Sequence, residues 1–429
     1  MHKMKILLGL MLTILFLLSV RASSGQTIEL VLKAEKGVFM TGTIQEAIDS
    51  CSSVGGGVVI FTGDTFLTGG LEMKSHVRLQ LEKGTVLQGS DRYSDYRNDA
   101  FIYGNGLTDI AICGEGVIDG VDCYNPLGEE GFRGPHCIKL TGCKNITLKD
   151  FTIVNSANWA INCRSSSDAS VENVSIRGGH DGLHTRFCDH FRVSGCDFRT
   201  GDDAFAGNDN RDFIITDCLI NTSCNGFRIG CYNLTVKRCH LWGPGEYTHK
   251  IQNRNNMLSA FVHFSPEDED PQLISGNWLI EDVTVENVDR FYVYNFKNGL
   301  WQTGQPATTI KFNHIEASGI LNAFSIVGDD ENQFKLEITN SSFSFREGER
   351  TSLFFEGARL SSTAFFNARD FDAISLREVD FNKAGKDPIL DLRKGKLVDL
   401  DKVDFETENN PYPFVFEDVI NIKMNAVQY

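Results

Sequence analysis

The chain has 429 residues, 57 of them acidic against 41 Lys and Arg, for a formal net charge of −16 at pH 7. Such a balance argues against a nucleic-acid or anionic-membrane partner, both of which need a basic surface. The length would fit two globular domains, or one repeat array that grows by adding units.

In chain order, Lys3 and Lys5 precede an apolar run from Ile6 to Val20, and small residues follow at Ala22-Ser23-Ser24-Gly25. This pattern predicts a signal peptide over residues 1–24 and a secreted or periplasmic product of residues 25–429. The run is shorter than the roughly 20 residues of a membrane-spanning helix. With no other long apolar run, no membrane contact is expected after cleavage. Thr43-Ile44-Gln45-Glu46 has the form of a capping box and predicts a short helix from Ile44 to Cys51. Such a helix would cover the first coil of a repeat array. Val58 to Phe61, His76 to Leu87 and Leu107 to Ile118 read as strands, with Gly114-Glu115-Gly116 and Asp119-Gly120 as turns.

From there a pattern of apolar-x-apolar-x-x-apolar-x-apolar recurs. It runs through Ile146/Leu148/Phe151/Ile153, Ala169/Val171/Val174/Ile176, Phe191/Val193/Cys196/Phe198, Phe213/Ile215/Cys218/Ile220 and Leu234/Val236/Cys239/Leu241. The starts step by about 22 residues, which predicts one coil of a stacked solenoid per repeat. Strands one coil apart and turned by Gly and Asn make a parallel β-helix; a β-sandwich of short strands would not keep so constant a period. After Leu241 the register breaks. It resumes at Trp278/Ile280/Val283/Val285, a gap read as two coils, and continues through Ile310, Leu336, Ile374 and Val398 with smaller residues such as Ala317 and Ser341 in some slots. No linker interrupts the array, so residues 25–429 are read as a single domain.

Twelve cysteines lie between Cys51 and Cys239. Cys196, Cys218 and Cys239 fill apolar slots and read as a buried thiol stack. The others, apart from Cys51, leave room for one or two disulfides. No zinc-type spacing stands out, and no cofactor or metal is expected.

The carboxylates are in phase with the repeat. Twelve residues after successive starts stand Asn158, Asp181, Asp203, Asn225 and Glu246. Equivalent positions in neighbouring coils lie roughly 4.8 Å apart, so Asp181, Asp203 and the adjacent Asp202 should converge. Like charges held that close mark a functional site. Paired carboxylates suit glycoside hydrolysis, one giving a proton to the leaving oxygen and another activating water or attacking the sugar. Calcium binding would also explain the cluster. If Leu183, Phe205 and Phe227 point inward, His184, Ala206 and Arg228 form an outward column, and Arg228 has the fork to hold a sugar carboxylate. His180 lies in the turn of Asp181.

These motifs resemble glycoside hydrolase family 28, the polygalacturonase and rhamnogalacturonase family. The resemblance runs through residues 43–57, Leu67-Thr68-Gly69-Gly70-Leu71, Leu79 to Leu87, Ile112 to Gly120 and Asn155 to Trp159, and covers roughly residues 35–245. It implies an all-β, single-stranded right-handed parallel β-helix and an inverting hydrolase. By resemblance Asp202 is the general acid, and Asp181 and Asp203 hold and activate the water. The spacing of Asp181 and Asp202 is similar to the family's. Three departures stand out. Gly179-His180-Asp181 replaces an Asn-Thr-Asp motif. Asn225 stands where polygalacturonases place a histidine, as in rhamnogalacturonases, which lack it. The Arg-Ile-Lys motif that grips galacturonate has no match, since Arg228-Ile229 falls a coil early with Gly230 in place of lysine; Lys250, Arg254 or His249 would have to supply the grip. The expected partner is therefore a pectin-type polysaccharide or oligosaccharide, held by His184, Asn225, Arg228, Lys250 and His180. A β-eliminating lyase, with Lys250 or Arg254 as base, and a non-catalytic carbohydrate-binding β-helix remain the competing readings. Tyr247, Phe261, Phe264 and Trp301 read either as sugar-stacking rings or as packing under a loop. Oligomeric state is not legible.

Overall fold

The computed structural model describes residues 19–22, 28–264, 275–295, 306–328, 330–347, 364–382, 388–406 and 413–429. Most of the expected signal segment and Trp301 lie outside these residues. Among the described residues no helix is long and apolar enough to cross a membrane. The chain divides into two compact units, residues 1–178 and 179–429.

In the first unit, period-2 alternation sends every second side chain inward. Val59, Leu79, Ile112, Leu148 and Val171 come into register on successive parallel strands, and all are buried. Phe66, Leu87, Ile118, Ile153 and Ile176 form a second column, and Leu71, Ile102, Ile138 and Ile161 a third. Parallel partners about one coil apart on three faces are the geometry of a parallel β-helix. Asparagine completes the turns: Asn145 and Asn173 sit at φ 56° and 52°, and their side-chain amides donate to Asp109 and Asp150 one coil back. Asn tolerates this left-handed region better than other residues with a side chain.

The helix is longer than its sequence signal. It spans Thr41–Ser53, and Ile44, Ala47, Ile48 and Cys51 are its buried face. The capping box does not form. Thr43 lies inside the helix, whose N-cap is Met40 without a side-chain cap bond. Thr41 and Gln45 instead tie the helix to the coil, Thr41 Oγ1 accepting the Gly69 amide at 2.7 Å and Gln45 bonding both backbone groups of Glu72.

In the second unit the column Phe191, Phe213, Leu234 continues directly to Trp278, then Ile310, Leu336, Ile374 and Val398. Leu234 pairs with Trp278 itself, so the span read as two coils is one long coil. Its extra residues include the loop after Trp242, and the strand Met257–His263 takes the slot that residues 225–229 hold one coil earlier. All twelve cysteines are free thiols, so none of the bridges for which the sequence leaves room is formed. Cys196, Cys218 and Cys239 are buried, as a thiol stack requires.

Candidate active site

The site lies wholly in the second unit, on the strands Leu183–Arg186, Phe205–Thr216, Asn225–Lys237 and Met257–His263. Leu183, Phe205, Phe227 and Phe261 pair in register and point inward. The Phe205 and Phe227 rings stack at 4.8 Å, and Phe227 and Phe261 at 5.0 Å. This apolar stack fixes the register of the polar turns preceding each strand. The Gly182 amide donates to the Asp203 carbonyl at 2.9 Å, and the Ala204 amide to the Asn225 carbonyl at 3.0 Å. Asp181, Asp203 and Asn225 thus hold one slot in three coils. Glu246 does not hold the next. Asn225 pairs with Ser259, because the lengthened coil inserts residues after Trp242, and Glu246 reaches Arg199 instead.

One oxygen from each of Asp181, Asp202 and Asp203 lies within 4.8 Å of the others. Their surroundings differ. The Asp203 side chain is 2% exposed. Its Oδ1 accepts the Asn225 amide at 3.2 Å and Asn225 Nδ2 at 2.8 Å, and its Oδ2 accepts Arg228 at 3.1 Å. Burial, and then the neighbouring Asp202 charge, raise the Asp203 carboxyl above its ordinary value, although Arg228 and Asn225 oppose the shift. Asp181 is buried, with Oδ2 at 2.8 Å from His184 Nδ1. Arg186 Nε donates to the other ring nitrogen of His184 at 3.2 Å. His184 therefore carries its proton on Nδ1 and donates it to Asp181. Asp202, at 17% side-chain exposure, is the most accessible of the three.

Arg228 lies one residue past Phe227 in the column of His184 and Ala206. Its guanidinium covers the Phe264 ring at 3.8 Å. Burial works against its charge, but Asp203, Asp181 and Asp202 together hold it above its ordinary value. Arg228 is the counter-charge of the cluster. His180 and His184 are both buried. Lys250 is exposed, and its aliphatic stem lies so close to Gly179 that a Cβ there would meet it at 2.6 Å. Phe261 belongs to the interior stack and Phe264 is covered by Arg228, so both pack under other groups.

The loop after Trp242 brings residues that no repeat could announce. Arg254 donates to the Ser223 and Asn256 carbonyls, and lies at 3.6 Å from Cys224 Sγ. His249 Nε2 lies 3.5 Å from Asp202 Oδ1. Cys224, His249 and Asp202 bring donor atoms within 4.8 Å of one another, close enough to consider a metal. The chemistry of the set does not fit one. His249 Nδ1 accepts the Gln252 amide at 3.1 Å, which leaves the proton on Nε2, the nitrogen facing the cluster. Burial, and then Asp203 and Asp202, push the Cys224 thiol well above its ordinary value. A protonated nitrogen and a protonated thiol are poor ligands.

Residues 51–232 match the family "Glycosyl hydrolases family 28". That segment belongs to glycosyl hydrolases family 28. Asp181, Asp202, Asp203, Asn225 and Arg228 fall inside the family 28 segment, while His249, Lys250 and Arg254 lie beyond it. A probable polygalacturonase of Vitis vinifera is 25% identical over 44% of this chain and 45% of its own length. An endo-polygalacturonase of Pectobacterium carotovorum is 26% identical over 48% of this chain and 62% of its own. The chain spans about half the length of the curated relatives it matches. In fold, a hyperthermoactive exopolygalacturonase from Thermotoga maritima superposes with a TM-score of 0.62 over 87% of this chain and 95% of the other, at 16% identity. The likeness is one of fold.

Proposed function

We propose that the protein is an exported glycoside hydrolase that cuts glycosidic bonds in pectin-type polysaccharide or oligosaccharide, of the galacturonan or rhamnogalacturonan class, with inversion. The observation that carries this reading is a trio of carboxylates held within 4.8 Å in three unlike environments. The resemblance to family 28 and the exposure of each group together suggest their roles. Asp202, the most accessible, gives its proton to the leaving glycosidic oxygen as the bond to the sugar carbon breaks. Asp181 and Asp203 hold a water whose oxygen bonds to that carbon, and one of them takes its proton. Inverting sites commonly separate the two carboxyl groups by roughly 6.5–9.5 Å, to leave room for water. The trio is tighter than that. Water activation is favoured over direct attack because both oxygens of Asp203 already accept hydrogen bonds, and His184 pins Asp181. Such oxygens are poor nucleophiles and good positioners.

The polygalacturonase names of the relatives support the substrate class. The asparagine at 225 favours rhamnogalacturonan or a branched oligosaccharide over plain polygalacturonan. Lys250, exposed at the rim, is the group to hold a sugar carboxylate, with Arg228 behind the cluster. The coils are read as right-handed, as parallel crossovers almost always are.

Product analysis tests this reading. The mature protein would be incubated with polygalacturonan and rhamnogalacturonan beside an Asp202→Asn variant, and products followed by mass and by absorbance of unsaturated sugars. Saturated products that vanish in the variant are expected. Unsaturated products would replace hydrolysis by elimination, and no turnover on any pectic glycan would overturn the substrate class.

A further inference from the structure

The loop between Trp242 and Met257 is built to hold one side chain. Its base is closed by the Gly245 amide donating to the Asn255 carbonyl at 2.7 Å and by Asn255 Nδ2 returning to the Gly245 carbonyl at 2.9 Å. Inside it, the His249 amide donates to the Arg254 carbonyl at 3.0 Å, and the Asn253 amide to the His249 carbonyl at 2.8 Å. Arg254 fastens the loop to the Ser223 carbonyl of the neighbouring turn. The loop lies on Gly201, where a Cβ would come within 2.5 Å of the Thr248 carbonyl oxygen. Only glycine before Asp202 permits that approach. The result is a histidine that is 4% exposed, with its tautomer fixed by the Gln252 amide and its Nε2–H facing Asp202 Oδ1.

We infer that His249 is a positioning residue for Asp202: its Nε2–H orients the carboxyl group and stabilises the carboxylate left when the proton departs. This rests on the proposed role of Asp202 as general acid. The observed 3.5 Å separation is long for a hydrogen bond, and catalytic bonds often tighten only when substrate is bound. Asn225 does not perform this task, because its amide is spent on Asp203. The groups facing Asp202 include Asp181 and Asp203 from the two turns, Cys224 from the next coil and His249 from the loop, with Arg228 across Asp203; the Asp203 backbone amide also donates to Asp202 Oδ1, at 3.1 Å. His249 offers Asp202 a side-chain proton from a donor of fixed tautomer.

The test is the pH profile of kcat/KM on a pectic oligosaccharide for wild type, His249→Ala and His249→Gln, beside Asp202→Asn. Losing a hydrogen bond to a charged group lowers rate by roughly 10- to 100-fold, so His249→Ala should lose kcat on that scale with KM little changed. Its alkaline limb should move to higher pH, because a carboxylate stripped of a donor holds its proton more tightly. His249→Gln, whose amide still donates, should recover much of the rate and keep the limb of the wild type. An alkaline limb unmoved in His249→Ala, or a glutamine variant no better than alanine, would overturn the inference. Should the alanine variant fail to fold, the limb of the glutamine variant alone decides: it stays in place, or the inference falls. An active Asp202→Asn variant would overturn the acid assignment and the inference with it. An inactive one beside an unmoved His249→Ala profile would overturn only the inference.

Discussion

Replacing Arg228 by methionine removes the counter-charge of the cluster while keeping an apolar stem over Phe264. The Arg228–Asp203 contact is 3.1 Å, between side chains 20% and 2% exposed. Two unit charges at that distance attract by about 5 kcal/mol at an effective dielectric of 20, and breaking a buried pair from one side typically costs about 3–5 kcal/mol. Protonation limits the loss. Neutralising a carboxyl of ordinary value 3.8 at pH 7 costs about 4 kcal/mol. It costs less here, because burial has already raised Asp203. A destabilisation of about 3 kcal/mol is therefore expected, with the Asp203 carboxyl raised further in the variant. On the proposed role of Asp203 as an ionised group that activates water, kcat/KM should fall about 100-fold. The acidic limb of its pH profile should move upward. Reducing-end release across pH 4–8, with denaturant unfolding of the same samples, reads both effects. Asp203→Asn placed on top of Arg228→Met should restore part of the stability, since it removes the stranded charge. An Arg228→Met protein with wild-type unfolding and an unmoved acidic limb would mean that Arg228 is not the counter-charge of Asp203.

Three further outcomes are expected. Gly207 sits at φ 123° where a Cβ would meet the Thr185 carbonyl oxygen at 1.7 Å, so Gly207→Ala should cost more than about 3 kcal/mol; wild-type soluble yield and unfolding midpoint would contradict this. Burial lowers His136 to about 3, below its unfolded value near 6.5. The unfolded chain then binds the extra proton, so stability is full above pH 6.5 and falls by about 1.4 kcal/mol per pH unit below it; unfolding midpoints of His136→Gln should show a shallower acid slope, and an equal slope would count against the burial argument. Of the twelve free thiols only Cys113 is not buried, so a thiol reagent should find at most one fast-reacting group in the native protein and twelve in denaturant. A lower denatured count would mean disulfides.

What the sequence made legible was whatever obeys the repeat. Phe191, Phe213 and Leu234 pair because a fixed coil length and period-2 alternation bring the same slot inward each time. The same regularity carries Asp181, Asp203 and Asn225 onto one line. Legibility ends where the period ends. The step from Leu234 to Trp278 is one coil with an insertion, so Glu246 was assigned to a slot that Ser259 fills. His249 was legible only as a residue with some place near the substrate, because its position is set by loop contacts such as Arg254 with Ser223, which leave no periodic trace. His184 lies in the expected column yet is buried against Asp181; alternation gives the direction of a side chain and not the depth at which it ends. The Thr43–Glu46 signature matched a capping box in wording, but Thr41 and Gln45 bond to the adjoining coil instead.

Inversion is read from the anomeric configuration of the first product, followed by proton NMR from the moment the wild-type protein meets a pectic oligosaccharide, with Asp202→Asn as the control. In the proposed mechanism, water held by Asp181 and Asp203 attacks from the face opposite the leaving group. The account therefore expects the inverted anomer to appear first and to mutarotate later, with no product from the variant. A retained anomer would mean that a carboxylate attacks the sugar directly, and would contradict the roles given to these three aspartates.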